Sequence, residues 1–572
     1  MKAGRLIIFW LRRLNSDDMI RRKTLLFILF QILVFAGTSF AQSLPVGMPI
    51  LEDSYRREQL LGNKDSLISF TIRPLYAGDQ FTSGIDTLST ENRLFKFNSS
   101  LKLPGNRAFL QLLPLNLQHQ YNSILPYDWN DGAMIPAKGN QTQLSFGAFL
   151  KYGPLSIQLK PEYVYANNPE YEGFPSEQYD VVWAKYYNNY FNVSDITERY
   201  GEDPYSKLFW GQSSVRLTFD PISVGISNEN LWWGPGRRSS LLMSNNAPGF
   251  KHITLNTSRP IQTPIGSFEA QLIAGRLENS GILPPQENRV YEGQSLYLPK
   301  RDDWRFLSGF VLTYNPKWVP GLFIGASQVS QMYNQDAGKR PSDFLPLLLP
   351  FESKEAVSIR DRYSSLFFRW VMQEAKAEIY GEYGHQGKHS ITAFLREPDR
   401  SAAYLLGLRK ILPLNRRPGE YFQVSLEFTE LQQTSVPEKG GWYTSSVVRQ
   451  GYTHMGQVLG SGIGPGSNLQ SVDISWFKGL KRIGLQFERY LHNNDFYYQM
   501  YIDPPDFSKH YVDMSAAISA DWDYKNLVFS AKGAMIRSLN YQYVLYSRPP
   551  EYFVTGWDRL NYQVKLGMMY RF

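Results

Sequence analysis

The stretch that most restricts the fold is Leu560–Phe572. Read with period two, Leu560, Tyr562, Val564, Leu566, Met568, Tyr570 and Phe572 share one face, and Asn561, Gln563, Lys565, Gly567, Met569 and Arg571 share the other. The first face is wholly apolar and the second mostly polar. A soluble sandwich strand can alternate in the same way, but the two tyrosines bracket a length: from Tyr562 to Tyr570 is roughly 26 Å of strand. Tilted by about 40°, that covers roughly 20 Å along a membrane normal, close to the apolar band between the aromatic girdles of a transmembrane barrel. The expectation is an all-β chain, a transmembrane antiparallel β-barrel.

The strand ends on Phe572, as the C-terminal strands of bacterial outer-membrane proteins end on an aromatic residue that the barrel-assembly machinery reads; that machinery is an expected partner during insertion, with outer-membrane lipid and lipopolysaccharide afterwards. Beyond a short leader, the 572 residues contain no run of about 18 apolar residues, which excludes a helical membrane protein. The 37 tyrosines against 13 tryptophans suit interfacial belts and polar grooves better than a dry core. With no cysteine there is no disulfide, no thiol nucleophile and no thiolate metal site. No cofactor and no metal are expected.

The leader has three parts: the basic Met19-Ile20-Arg21-Arg22-Lys23, the apolar Leu25–Phe35 and the small-x-small Ser39-Phe40-Ala41. This is the pattern of a secretory signal peptide over residues 1–41, with Met19 the simplest true start. Residues 1–41 hold seven Lys or Arg and two Asp, so their removal leaves 53 basic and 50 acidic residues and lowers the net charge from +8 to +3. Without a concentrated basic patch, nucleic acid is not an expected partner.

Residues 42–66 are expected to form a periplasmic N-terminal segment in which Asp53 caps a short amphipathic helix that Gly62 stops, and residues 67–572 to form the barrel. Strand patterns start with Leu67–Tyr76 and Phe109–Gln120. A plain hairpin follows: Leu144, Phe146, Ala148 and Leu150, a Gly153-Pro154 turn, then Leu155, Ile157 and Leu159 opposite Ser156, Gln158 and Lys160. Glu162 shares the Gln158 and Lys160 face and should point into the lumen. Similar patterns recur to the C-terminus and imply about 16 to 20 strands. The connections Asn167–Pro204 and Ser280–Asp303 are too long for periplasmic turns. The first carries Tyr171, Phe174, Tyr179, Trp183, Tyr186, Tyr187, Tyr190 and Phe191, which suit either a glycan-stacking surface or a loop packed on itself.

The most informative internal stretch is Asn228–Phe250, with Trp232-Trp233-Gly234-Pro235-Gly236-Arg237-Arg238 and Asn245-Asn246 inside it and no clean period. Together with Asn130–Gly139, Lys160-Pro161-Glu162, Glu378–Tyr383, Gln450–Gln457 and Gly462–Asn468 it resembles the capsule assembly protein Wzi family, in order along nearly all of the mature chain. The resemblance implies a barrel of about 18 strands whose lumen is plugged by inward-folded loops and by helical elements on the periplasmic side. It implies a surface lectin that helps attach exported capsular polysaccharide and is not the export channel. On that reading Trp232 and Trp233 stack on sugar, and Arg237, Arg238, Asn245 and Asn246 meet polar or acidic groups. The alternative for these residues is a plug wedged by the tryptophans, with the arginines paired to lumen carboxylates such as Glu162, Glu378 or Glu382. A diffusion channel or a structural barrel without glycan binding remains the rival function. An enzyme is not expected: there is no G-x-S-x-G elbow, and the seven histidines show no ligand spacing.

Overall fold

The computed structural model describes residues 42–63, 67–77, 100–102, 108–127, 129–338, 359–387, 402–414, 416–433, 441–500, 510–543 and 558–572. The signal peptide expected over 1–41 lies outside them. Eighteen antiparallel strands form a closed barrel from Ala108–Asn122 to Arg559–Tyr570. Three of them are interrupted by short irregularities, as at Lys160-Pro161 between Leu155–Leu159 and Glu162–Ala166. Closure comes from the first and last strands, in register from Gln563↔Asn122 to Tyr570↔Leu115.

Period two decides what each strand buries. In the terminal strand Leu560, Tyr562, Val564 and Leu566 face outward and are exposed, while Asn561 and Gln563 are buried in the lumen. Leu366, Phe368 and Trp370 do the same opposite Ser365 and Arg369. Exposed rows of this kind recur around the barrel and form the lipid-facing surface. Leu566 lies midway between Tyr562 and Tyr570, so Leu566→Arg is expected to cost about 2–4 kcal/mol of folding free energy in a bilayer. The check is the urea midpoint of reversible folding into vesicles.

One end carries tight turns, such as Gly153-Pro154, Gly479-Leu480 and Lys525-Asn526, and the other carries the long connections. Helix α1 (Pro49–Leu60) lies across the tight-turn end. It starts at Pro49, whose missing N–H costs nothing there, and Gly62 follows its end with φ +75°. The stop is where the sequence places it, but the start is five residues earlier. Asp53 is therefore inside the helix and not its cap, and points at arginines. Leu51 and Tyr55 pack on Leu480, Val528 and Met569, and Leu60 packs among Phe323, Val371, Ile411 and Phe477, so the helix is docked on the inside of the wall.

Leu67–Tyr76, expected as the first wall strand, is not in the wall. Leu75–Ala77 pairs with Gln42–Leu44, and Ile72-Arg73 pairs with Trp232-Trp233. The wall strands Tyr205–Phe209, Ile222–Ser227 and His252–Thr257 were not singled out in the sequence, each being only five or six residues long.

Candidate functional site in the plug and the outer cap

The middle of the lumen is filled by Asn228–Phe250, with residues 129–137 and 441–463 packed around it. Trp233, Leu241, Leu242, Met243, Trp442, Tyr443 and Tyr452 form its apolar centre, all essentially inaccessible. Polar side chains of the wall hold this irregular backbone, as buried peptide groups require. Glu427 is the main anchor: its carboxylate accepts the backbone N–H groups of Arg237 (2.8 Å), Arg238 (2.9 Å) and Ser239 (2.8 Å) and the Tyr380 hydroxyl (2.8 Å). The Trp233 indole donates to Gln271 Oε1 at 2.9 Å.

The six candidate residues all lie in this plug. Trp233 is fully buried, and Trp232 is buried beneath the Arg73 guanidinium, 4.6 Å from its ring. Arg237 pairs with Asp53 of α1 at 2.9 Å, and Arg238 pairs with Glu488 at 2.7 Å while covering the Trp129 ring. Asn245 Nδ2 donates to the Asn130 carbonyl and Asn246 Nδ2 to the Val458 carbonyl, both at 2.9 Å. The arginines thus pair with carboxylates, though not with those expected. Glu162 accepts from Gln212, Glu382 accepts the Leu241 N–H, and Glu378 binds three other arginines. Glu427 and Glu488 were legible as inward positions: period two places Glu427 opposite Phe422, Leu426 and Phe428, and Glu488 opposite Ile483, Leu485 and Phe487.

A chain of ion pairs fixes α1 to this assembly. Glu378 receives Arg56 (3.0 Å), Arg369 (2.6 Å) and Arg409 (2.8 Å); Asp53 receives Arg57 (2.7 Å), Arg237 (2.9 Å) and Arg409 (2.7 Å). Burial by itself would raise the Asp53 carboxyl, but Arg237, Arg57, Arg409 and Arg482 hold it well below the usual carboxylate range.

At the long-loop end, Asn167–Pro204 folds into helix α2 (Asp180–Tyr186) and a wider turn, Tyr187–Phe191, packed on helix α3 (Asn494–Met500). Its rings pack mostly on one another: Phe174 stacks on Tyr186 at 4.1 Å and Tyr186 on Tyr190 at 5.3 Å, with Trp183, Phe191, Phe496 and Tyr543 around them. Of the nine aromatic residues in the loop, Tyr200 included, Tyr179 is the well-exposed one, at 62%. The second long connection is tied across this cap by Tyr187 Oη to the Pro285 carbonyl (2.6 Å), Asn192 Nδ2 to the Leu296 carbonyl (2.8 Å) and Ser280 N–H to Asp195 (2.7 Å).

Two clefts open on either side of that tie. One, of about 380 Å³, is lined by Asn188, Asn189, Arg360, Asp361, Arg362, Gln386 and Arg449 among others. Arg449 is held there by the Asn192, Leu298 and Pro299 carbonyls. The other, of about 440 Å³, is lined by Tyr171, Asp195, Glu198, Arg199 and Lys300. Burial pushes the Glu198 carboxyl up, against the Phe174 N–H that it accepts, and pushes the Lys300 ammonium down to about 8. The first cleft, which holds the Asp361 carboxyl beside amides and guanidiniums, is suited to hydroxyl groups, which both donate and accept.

The family model for capsule assembly protein Wzi matches residues 129–532, which include the plug, its wall partners and the cap. The chain belongs to the Wzi capsule assembly family. Among solved structures, Escherichia coli Wzi, an outer-membrane protein involved in group 1 capsule assembly and a carbohydrate-binding β-barrel, superposes with a TM-score of 0.55 at 11% identity, covering 91% of this chain and 98% of that one. Acinetobacter baumannii OccAB2 (TM-score 0.38, 10% identity, 80% and 97% covered) and Pseudomonas aeruginosa OccK3 (0.38, 9%, 81% and 95%) are more distant. No curated protein matches the chain in sequence. This Wzi-family chain is an outer-membrane barrel of eighteen strands.

Proposed function

We propose that this Wzi-family barrel is a surface lectin that binds exported capsular or related surface polysaccharide at its outer face and helps hold it at the cell. The observation that carries the reading is the pairing of a filled lumen with a built amide and guanidinium cleft between loops tied to one another. A filled lumen argues against transport as the primary role, and a fixed cleft presents polar groups at low ordering cost. A polymer repeats its epitope, so weak single contacts suffice once several barrels hold one chain. Trp233, Arg237, Arg238 and Asn246 are assigned to holding the plug, and Asn188, Arg360, Arg362 and Arg449 to the glycan. No catalytic step is assigned to either set. Lipid and lipopolysaccharide surround the wall, and the barrel-assembly machinery acts at the terminal strand.

The test is binding of the purified, detergent-folded protein to polysaccharide extracted from its own cells. Wild type is expected to bind saturably, and Asn188→Ala and Arg362→Ala each to weaken binding roughly threefold to tenfold, as loss of about 1 kcal/mol per hydrogen bond implies. Absence of binding to any fraction would sink the lectin reading, and a large steady conductance in a planar bilayer would sink the filled lumen.

A further inference from the structure

On the outside of the wall, period two places two cations side by side. Lys251 shares the outward, exposed face with Ile253 and Leu255, while His252, Thr254 and Asn256 are buried in the lumen. On the neighbouring strand Gly266–Leu277, Arg276 is exposed between the buried Gly275 and Leu277. His252 pairs with Gly275, and the Arg276 N–H donates to the Lys251 carbonyl at 2.9 Å, so Lys251 and Arg276 stand opposite each other on one face. Like charges so placed repel unless an anion joins them. Arg276 pairs with Glu278 at 3.4 Å and lies over the Trp304 ring, 5.2 Å from its centre. Glu278 also attracts Lys207, so one carboxylate stands against three cations. The Lys251 ammonium makes no ion pair or hydrogen bond among the described residues.

The height of this pair on the wall follows from Phe268, which shares the outward face of Arg276 and stacks on Tyr314 at 4.7 Å beside the tight turn before Gly266. From Phe268 to Arg276 is roughly 26 Å of strand, or roughly 20 Å along the membrane normal at a tilt of about 40°. That is the span from Tyr562 to Tyr570, so the pair lies at the edge of the apolar band on the long-loop side, which faces outward in barrels of this kind. An outward cation is costly at the mid-plane and cheap at that edge, where guanidinium and ammonium groups can take phosphate. Ile226, Ile253 and Leu255 are exposed next to the pair and continue the lipid-facing surface. A phosphorylated lipid uses both features, whereas a soluble anion uses the cations alone. We propose that Lys251 and Arg276 bind a phosphate of lipopolysaccharide in the outer leaflet, with its acyl chains against Ile253 and Leu255. The site is independent of the lectin reading and needs only the outer-membrane barrel.

The full chain, folded in detergent and stripped of lipid, is titrated with bisphosphorylated lipid A, and bound lipid is counted by native mass spectrometry. Wild type is expected to hold it more tightly than lipid A freed of its phosphates, by about fivefold for each cation engaged. The double variant Lys251→Gln/Arg276→Gln is expected to lose that preference. Arg417→Gln/Lys478→Gln removes two exposed charges at the tight-turn end and is expected to keep it. Heat-modifiable gel mobility establishes that the variants are folded. Should the first double variant fail to fold, Lys251→Gln alone is read in its place: about fivefold weaker binding supports the site, and unchanged binding overturns it. A wild type that binds both lipids alike, a Lys251→Gln/Arg276→Gln variant that keeps the preference, or a tight-turn variant that loses it equally overturns the site. Excess inorganic phosphate at fixed ionic strength should leave the lipid bound; full displacement overturns the lipid in favour of a free anion.

Discussion

Glu378→Ala is expected to lower the stability of the folded barrel by about 3–5 kcal/mol, the usual cost of removing one partner from a buried ion pair, and to turn a quiet bilayer record into one with bursts of conductance. Glu378 receives guanidiniums from Arg56, Arg369 and Arg409, and all four side chains are almost wholly inaccessible. Removing it leaves three buried cations near one another, with Asp53 the nearest anion still in the chain of ion pairs and already shared by Arg57, Arg237 and Arg409. Arg56 belongs to α1, while Arg369 and Arg409 belong to the wall, so the repulsion acts across the joint between helix and barrel. The expected readouts are a lower temperature for the heat-induced gel shift and transient openings as α1 leaves the mouth. Glu378→Gln keeps the size and one acceptor oxygen and should fall between wild type and Glu378→Ala. An unchanged shift temperature with Glu378→Ala would mean that apolar packing of Leu51, Tyr55 and Leu60 holds the helix unaided. The acid side has a defined sign. The Asp53 carboxyl is held below its usual range, so its contribution is fully present above its unfolded value of about 4 and is lost as pH falls through the lower folded value. Conductance should therefore stay low down to about pH 4 and rise in stronger acid.

The parts of this architecture that were legible in the sequence are those written in period two. Leu560–Phe572 and the hairpin around Gly153-Pro154 could be placed, with the inward direction of Glu162, because one face meets lipid and the other meets polar groups, so a slip by one residue would be costly. Leu67–Tyr76 was misplaced for the same reason that the others were placed correctly. Its alternation signals an extended chain, but periodicity does not say which strand it will pair with, and here the partners are Gln42–Leu44 and Trp232-Trp233 inside the barrel. Ile222–Ser227 and His252–Thr257 were missed although Ile222, Val224, Ile226, Ile253 and Leu255 alternate cleanly with small or polar residues, because each run is only six residues long and flanks the aperiodic plug segment. The plug segment announced itself by composition without period, yet its partners stayed hidden: Asp53 and Arg237 are 184 residues apart. A contact of that range depends on the closed wall bringing both groups into one lumen. The aromatic loop was open to two readings, and its rings turn out to be spent mostly on one another.

Trp233→Ala is the second large effect, expected to cost about 3–5 kcal/mol as a buried tryptophan truncated in a packed interior. Trp233 stands at the centre of the plug. Its backbone N–H donates to the Met243 carbonyl at 3.1 Å, its short strand pairs with Ile72-Arg73, and its indole reaches Gln271 on the wall. The wall leaves room for the ring: a Cβ on Gly309 would lie 3.0 Å from Trp233 Cη2. Truncation therefore opens a void and also strips the partner from Gln271 Oε1. Trp233→Phe fills part of the void but still loses the N–H, so it should retain part of the stability and not all of it. The pair of variants also separates scaffold from ligand contact. If Trp233 holds the plug, the fraction of Trp233→Ala that folds should bind the extracted polysaccharide with an affinity within about twofold of wild type, since a uniform affinity with a smaller folded population is what a purely structural loss produces. A tenfold weaker affinity in the folded fraction would place the sugar against the plug itself and transfer the outer cleft's role to the lumen.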